Sequence, residues 1–206
     1  MARAKSSEVE KDTGVEKVEQ ILKGAIQEFL AHGYAATSMD RVALAAGVSK
    51  ATVYSYFRDK EALFSALVEQ LAQKKFKVIW DTEKLAGNPK EIIRQLVTTV
   101  VTQALVEPEY LTFMRLIIGE SGRFPNLAKT FVRYIAKPNI DKLTEYLANC
   151  PDFKLADPEA TARICIGAVV HFILLQEVMH GKEIMPMEVE RLIDGLSELL
   201  FSRTTT

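Results

Sequence analysis

Six side chains able to donate hydrogen bonds or to stack gather in a short stretch of this chain: Lys50, Thr52, Tyr54, Ser55, Tyr56 and Lys60, with Ser49 and the small Ala51 among them. Hydroxyls and ammonium groups of this kind donate to phosphate oxygens. A lysine also donates to guanine O6 or N7, and an alanine methyl packs on the thymine methyl. Two tyrosines on a solvent face are otherwise unfavourable and invite aggregation. The combination is hard to explain as packing and easy to explain as a helix laid in the major groove of DNA.

The flanking residues define the elements that would hold this face. Gly33 fits the left-handed position that ends a helix. Thr37 or Ser38 is a suitable N-cap, and with Thr37 as cap Asp40 completes a capping-box-like pair. Met39, Val42, Ala43 and Ala46 then give one apolar face. Gly47 supplies a turn, Val48 plugs the small core, and Ser49 caps a second helix. Along it Val53 and Phe57, four apart, point inward, which leaves Lys50, Ala51, Thr52, Tyr54, Ser55 and Tyr56 outside or at the edge. Asp59 caps a long helix beginning Lys60-Glu61-Ala62. This is the grammar of a helix-turn-helix.

The run GYAATSMDRVALAAGVSKATVYSYFRDKEALF, with the preceding helix Val15 to His32 and its inward Ile21, Ala25, Ile26, Phe29 and Leu30, resembles the N-terminal domain of the TetR family of one-component bacterial regulators. The detailed resemblance covers about the first third of the chain. The segment Phe113 to Pro125 is similar to one subgroup of that family's C-terminal domains. The resemblance implies a DNA-binding head in which Tyr54 reaches bases or the adjacent backbone and Lys60 grips the backbone. Lys50 and Ala51, in the first turn, are the expected base readers. Thr52, Ser55 and Tyr56, with Thr37 and Ser38, are expected on phosphates. Ser49, a cap by position, completes the expected DNA-binding set. The helix lacks Arg, Asn and Gln on its reading face, so DNA shape is expected to carry part of the specificity.

Composition bounds the rest. The chain has 206 residues and a net charge of −1, so it does not coat nucleic acid by bulk charge. From Gly33 to Lys60, Arg41, Lys50, Arg58 and Lys60 outnumber Asp40 and Asp59. Cys150 and Cys165 lack motif spacing, which fits reduced thiols and a cytoplasmic protein. No segment is read as a membrane span. The expected fold is all-α: a charged, disordered tail over 1–14, a three-helix DNA-binding domain over 15–60, and a larger helical ligand-binding and dimerisation domain over 61–206. Helices are expected from Asp59 to about Leu85, and over 89–106, 108–119, 125–149, 157–180 and 186–203.

The stretch Ile164–Leu175, ICIGAVVHFILL, is apolar on every side except at His171. Such a helix must be covered on every side. With the last helix it is expected to build an intersubunit four-helix bundle from Ile164, Ala168, Leu175, Val189, Leu192, Ile193, Leu196 and Leu200; the alternative is that both helices complete the core of one chain. A homodimer would space two heads by one turn of double-stranded DNA, matching a palindromic operator. A small, largely apolar effector is expected between Trp80, Phe113, Met114, Tyr134, Tyr146, Phe172 and Met179, with His171 and Gln176 as buried polar handles.

Rival chemistry is thin. His32, His171 and His180 are scattered, and no phosphate loop or nucleophile motif occurs. Glu120, Asp141, Glu177 and His180 offer a bundle-type metal site, but Glu-x-x-His occurs once, at 177–180, where a di-iron bundle uses two. A thiol sensor through Cys150 and Cys165 lacks neighbouring cations in sequence. The reading is a ligand-responsive transcriptional repressor with no cofactor, no metal and no catalytic residues.

Overall fold

The computed structural model describes residues 2–80, 87–106 and 108–201. Every regular element among them is helical. The chain divides into two compact units: Met1–Leu71 with Leu116–Thr130, and Ala72–Arg115 with Phe131–Thr206.

The first unit opens with α1 (Ala2–Ala36), followed by α2 (Met39–Ala45), α3 (Lys50–Tyr56) and the first part of α4 (Lys60–Ile79). The backbone of residues 2–14 continues α1, where the sequence suggested an irregular tail; the side chains of residues 1–13, Arg3 and Lys5 included, lie outside the described residues. At Gly33, φ is 77° and ψ 166°. This breaks the helix where expected, in an extended region open to glycine alone rather than in the left-handed helical one. A Cβ on Gly24 would sit 2.6 Å from the Ala46 backbone nitrogen, so glycine lets the end of α2 lie directly on α1.

The core of this unit draws Ile21, Ala25 and Phe29 from α1, Val42 from α2, Val53 from α3, and Leu63, Phe64, Leu67 and Val68 from α4. Fully burying such a side chain contributes roughly 1.5–3 kcal/mol. Residues 116–130 join the unit through aromatic packing. Tyr34 meets Phe29, Phe64 and Phe124 at ring-centroid distances of 5.6, 5.5 and 4.9 Å. Asn126 Nδ2 also donates to Glu61 at 3.0 Å.

The second unit holds the end of α4, then α5 (Pro89–Val106) and most of α6 (Pro108–Glu120), whose last residues belong to the first unit, as does α7 (Pro125–Phe131) except for its final residue. α8 (Lys137–Asn149), α9 (Pro158–Ile173) and α10 (Val189–Phe201) complete it. The expected continuation of α4 from Asp81 to Leu85 lies outside the described residues. Pro138, inside the expected helix 125–149, lacks an N–H; a π-turn at Val132–Ala136 absorbs the break just ahead of it. The core gathers Trp80, Ile93, Val97, Leu143, Leu147, Phe172, Ile193, Leu196 and Leu200.

α9 with its terminal π-turn, Pro158–Val178, is long and apolar enough to cross a membrane by length and composition alone, with a mean hydropathy of 1.5 over its most apolar window. Glu159, Arg163 and Glu177 punctuate it, and only 28% of its most apolar window is buried. Ile164 stands 65% exposed on it and Leu199 69% exposed on α10. The bundle set therefore divides. Ile193, Leu196 and Leu200 are buried in this chain's own core, contrary to expectation, because their spacing along α10 turns them inward. Ala168, Leu175, Val189 and Leu192 are half-buried, and Ile164 faces solvent.

Candidate nucleic-acid interface

Ser38 caps α2. Its backbone is extended and its Oγ accepts from Arg41 N at 3.3 Å. Thr37, the other possible cap, is turned inward and 2% exposed. Its Oγ1 donates to the carbonyls of Gly33 at 2.8 Å and Glu28 at 3.1 Å. This corrects its assignment to phosphate: a hydroxyl beside the broken end of α1 satisfies carbonyls that the helix leaves orphaned.

Gly47, at φ 64°, makes the turn into α3. Ser49 Oγ accepts from Thr52 N at 3.0 Å and lies 2.8 Å from Thr52 Oγ1, so it caps α3 as the sequence indicated. Val53 is fully buried and Phe57 nearly so, which fixes the rotation of the helix. Ala51, Tyr54, Ser55 and Tyr56 consequently face solvent, with Tyr54 44% and Tyr56 42% exposed. Thr52 is half-buried, and Ser55 Oγ donates back to the Thr52 carbonyl at 2.7 Å. Lys50 Nζ is bound by both oxygens of Asp40, at 2.8 and 2.9 Å, and stands 5.9 Å from the centroid of the Tyr54 ring. Its hydrogen bond to Asp40 raises the ammonium pKa above the ordinary lysine value.

Lys60 departs from the expectation. Its Nζ donates to the carbonyls of Tyr34 at 2.7 Å, Thr37 at 2.8 Å and Ala35 at 3.2 Å. Burial lowers its pKa. The three ammonium protons are spent on the α1–α2 junction, because that is where the broken helix end exposes carbonyls. Beside it Arg41 Nε stands 3.1 Å from Glu28 Oε2, and Arg41 Nη2 lies 3.0 Å from His32 Nε2. Asp59 Oδ1 accepts from Ala62 N at 2.7 Å and caps α4 as expected. The surface left facing outward therefore carries Ser38, Lys50, Ala51, Tyr54, Ser55 and Tyr56: short donors, one cation and two aromatic hydroxyls on adjoining helices. It suits the phosphates and base edges of a duplex and has no constellation for covalent chemistry.

In the second unit the expected effector residues scatter. Trp80 and Phe172 are buried in one core cluster, and Tyr146 packs against it. Phe113 is 1% exposed, and Met114 and Tyr134 are half-buried. Trp80 Nε1 donates to Asn139 Oδ1 at 2.7 Å. Gln176 is buried as expected, but its amide is used within the chain: Nε2 donates to Met185 O at 3.1 Å, and Oε1 accepts from Met187 N at 3.2 Å. His171 is exposed and Met179 is 64% exposed, so neither lines the interior. They sit on the outer side of α9 and beyond its end, a rotation that composition alone does not set. Tyr146 also borders a cavity of about 420 Å³, together with Pro89, Ile92, Lys142, Asn149 and Cys150. Burial, followed by Cys150 and Asp152, pushes its hydroxyl pKa up to about 12.

The rival chemistries find no support. Among the described residues no three His, Cys, Asp or Glu side chains gather to hold a metal. Asp141 is paired with Lys137, Glu177 with Lys182, and Glu120 accepts from Ala35 N. Burial pushes the Cys165 thiol up to about 11, away from the thiolate that redox sensing requires.

Sequence reasoning missed Tyr34, Phe124 and Gly24. Tyr34 and Phe124 carried no periodic signal, since one adjoins a helix break and the other lies in a loop. Their partners are set by tertiary packing.

Residues 21–67 match the family described as bacterial regulatory proteins, tetR family. Residues 91–201 match the AefR-like transcriptional repressor, C-terminal domain. The AcrR transcriptional regulator of Shigella flexneri is 24% identical over 156 residues, 74% of this chain and 73% of its own. A solved TetR-family transcriptional regulator from Mesorhizobium loti is 26% identical, with a TM-score of 0.77 over 92% of this chain and 96% of that one. The flavonoid-responsive regulator FrrA is 28% identical, with a TM-score of 0.75 over 91% and 96%. These relatives are regulators rather than enzymes. With a helix-turn-helix head matching one family model and more than half of the chain matching a repressor domain, the protein belongs to the TetR family of ligand-responsive transcriptional regulators.

Proposed function

We propose that this regulator represses transcription as a homodimer, placing α3 of each copy in the major groove of a palindromic operator. A small, largely apolar molecule entering the second unit then releases it from DNA. The observation that carries the reading is the solvent face of α3, where two tyrosines are more than 40% exposed on a helix whose inward side is fixed by Val53. A dimer is supported by the large uncovered area of α9, with Ile164 beside it in sequence to Gly167 and His171 on the exposed side, and Leu199 on α10. An apolar helix in water gains free energy from cover, and a second copy supplies it symmetrically.

Effector binding is supported by the aromatic core cluster of Trp80 and Phe172 with Tyr146 packed on it, and by the cavity that Tyr146 borders, although His171 and Met179 drop out of the site. The effector acts only to the extent that it binds the two conformations of the protein unequally. α4 has residues in both units, so it is the covalent route by which such a preference reaches the reading head. A protein that reads chromosomal DNA works in the cytoplasm.

Selection from random-sequence duplexes at moderate salt, with the oligomeric state measured by light scattering, tests the reading. Enrichment of a palindrome by a dimer is expected; a monomer with no sequence preference overturns it. Flavonoids are the first effector panel, on the strength of the FrrA likeness. Their expected action is to weaken operator binding.

A further inference from the structure

Lys50 is the only cation on α3, and it is already engaged. Both oxygens of Asp40, in the first turn of α2, hold its Nζ at 2.8 and 2.9 Å, on a surface where Asp40 is 62% and Lys50 59% exposed. Exposed ion pairs contribute little to stability, so the fold does not account for this one. A carboxylate beside the reading helix also carries a cost there: phosphates repel it, and it faces badly any base edge made of acceptors. An acid in that position needs either a base donor or a role in restraining its neighbour.

The pair offers both. A lysine tied to Asp40 is withheld from sequence-blind phosphate contact, yet its ammonium retains a proton to donate. Asp40 retains lone pairs to accept. Donor and acceptor thus stand side by side at hydrogen-bond distance. In the major groove a G·C pair presents the matching array: the O6 and N7 acceptors of guanine next to the N4 amino donor of cytosine. An A·T pair also places a donor beside an acceptor, but its purine lacks the two adjacent acceptors that suit an ammonium.

We infer that Asp40 is a specificity-determining residue of the DNA-reading face, which together with Lys50 reads one G·C base pair in each half-site, Lys50 on guanine and Asp40 on the cytosine amine. The inference rests on the proposal that α3 reads duplex DNA. It adds a residue of α2 that lay outside the expected contact set.

The test is random-sequence selection with the full-length protein and with Asp40→Ala, Asp40→Asn and Lys50→Ala. Affinity for the selected duplex and for a scrambled one is then measured across a salt series. The wild type should show one G·C position per half-site. Asp40→Ala should lose that preference, and its ratio of specific to non-specific affinity should fall roughly tenfold to a hundredfold, the range set by one good base contact. Its salt slope on scrambled DNA should steepen by about 0.9, one additional phosphate contact made by the freed Lys50. Asp40→Asn keeps the side-chain shape and should move the position toward adenine, which an amide both donates to and accepts from. In the Lys50→Ala background, removing Asp40 should leave the salt slope unchanged.

An unchanged selected sequence in Asp40→Ala and Asp40→Asn overturns the inference, as does an equal change of slope with Lys50 absent. A wild type without sequence preference overturns instead the reading of α3 on which it rests. The two failures are therefore distinct.

Discussion

Lys60 donates to the carbonyl of Tyr34 at 2.7 Å, and its Nζ stands 4.5 Å from the centroid of that residue's ring. One side chain thus closes the broken end of α1 and lies against the aromatic cluster beneath it. Its ammonium is a structural group in this conformation. Lys60→Met keeps the aliphatic stem and removes three donated bonds. The expected outcome is a loss of about 1 kcal/mol or somewhat more from the first unit, the cost of two part-buried carbonyls left without donors. Denaturant unfolding monitored by circular dichroism measures it. Unchanged stability with a shallower salt slope of DNA binding would return Lys60 to the phosphate role.

Tyr54 and Tyr56 should behave in the opposite way. Both are more than 40% exposed, and neither contributes to the core. Tyr54→Ala is expected to weaken operator binding about tenfold or more, with stability changed by no more than about 0.5 kcal/mol. Fluorescence anisotropy against the selected duplex, paired with a thermal melt, separates these effects. A large drop in melting temperature would mean that the ring packs rather than reads.

Alkaline titration gives a third check. Burial, reinforced by Glu61 and Asp59, pushes the Tyr34 hydroxyl up to about 12 from an ordinary value near 10. Between those values the folded state holds a proton that the unfolded chain has released. Its contribution is therefore intact below pH 10 and lost as pH rises toward 12. Tyr146, also raised to about 12, adds a loss of the same sign. Stability should fall over this window, and Tyr34→Phe should flatten part of that fall. An equally steep fall in Tyr34→Phe and in the wild type would assign the effect elsewhere.

The outer side of α9 and α10 supplies the fourth. Ile164→Asp with Leu199→Asp places charge on two side chains that are 65% and 69% exposed. In a monomer such changes cost almost nothing. In a dimer sealed by this surface they bury unpaired charge and should shift the protein to monomer in sedimentation, with secondary structure retained. Ile193→Asp serves as contrast, since Ile193 is 1% exposed and its replacement should unfold the chain.

Sequence alone settled the local part of this molecule. Caps, glycines and the 3–4 spacing of apolar residues are short-range signals, and they placed α2, α3 and the helices from Pro89 onward with nearly correct ends. The pair Val53 and Phe57 fixed which side of α3 turns outward, so the solvent-facing set of that helix is legible in the sequence. Tertiary structure decided what depends on partners distant in sequence. Thr37 and Ser38 are equally good caps on paper, and only the carbonyls of Glu28 and Gly33 draw Thr37 inside. Lys60 is a cation in any reading of the chain; the broken end of α1, folded back against α4, gives it three acceptors. α10 carries more apolar side chains than one inward stripe needs. Only packing against its neighbours shows that Ile193, Leu196 and Leu200 serve the core while Leu199 stays outside. Helix periodicity sets the angles between side chains on an element, whereas the identity of what each meets is a property of the assembled fold.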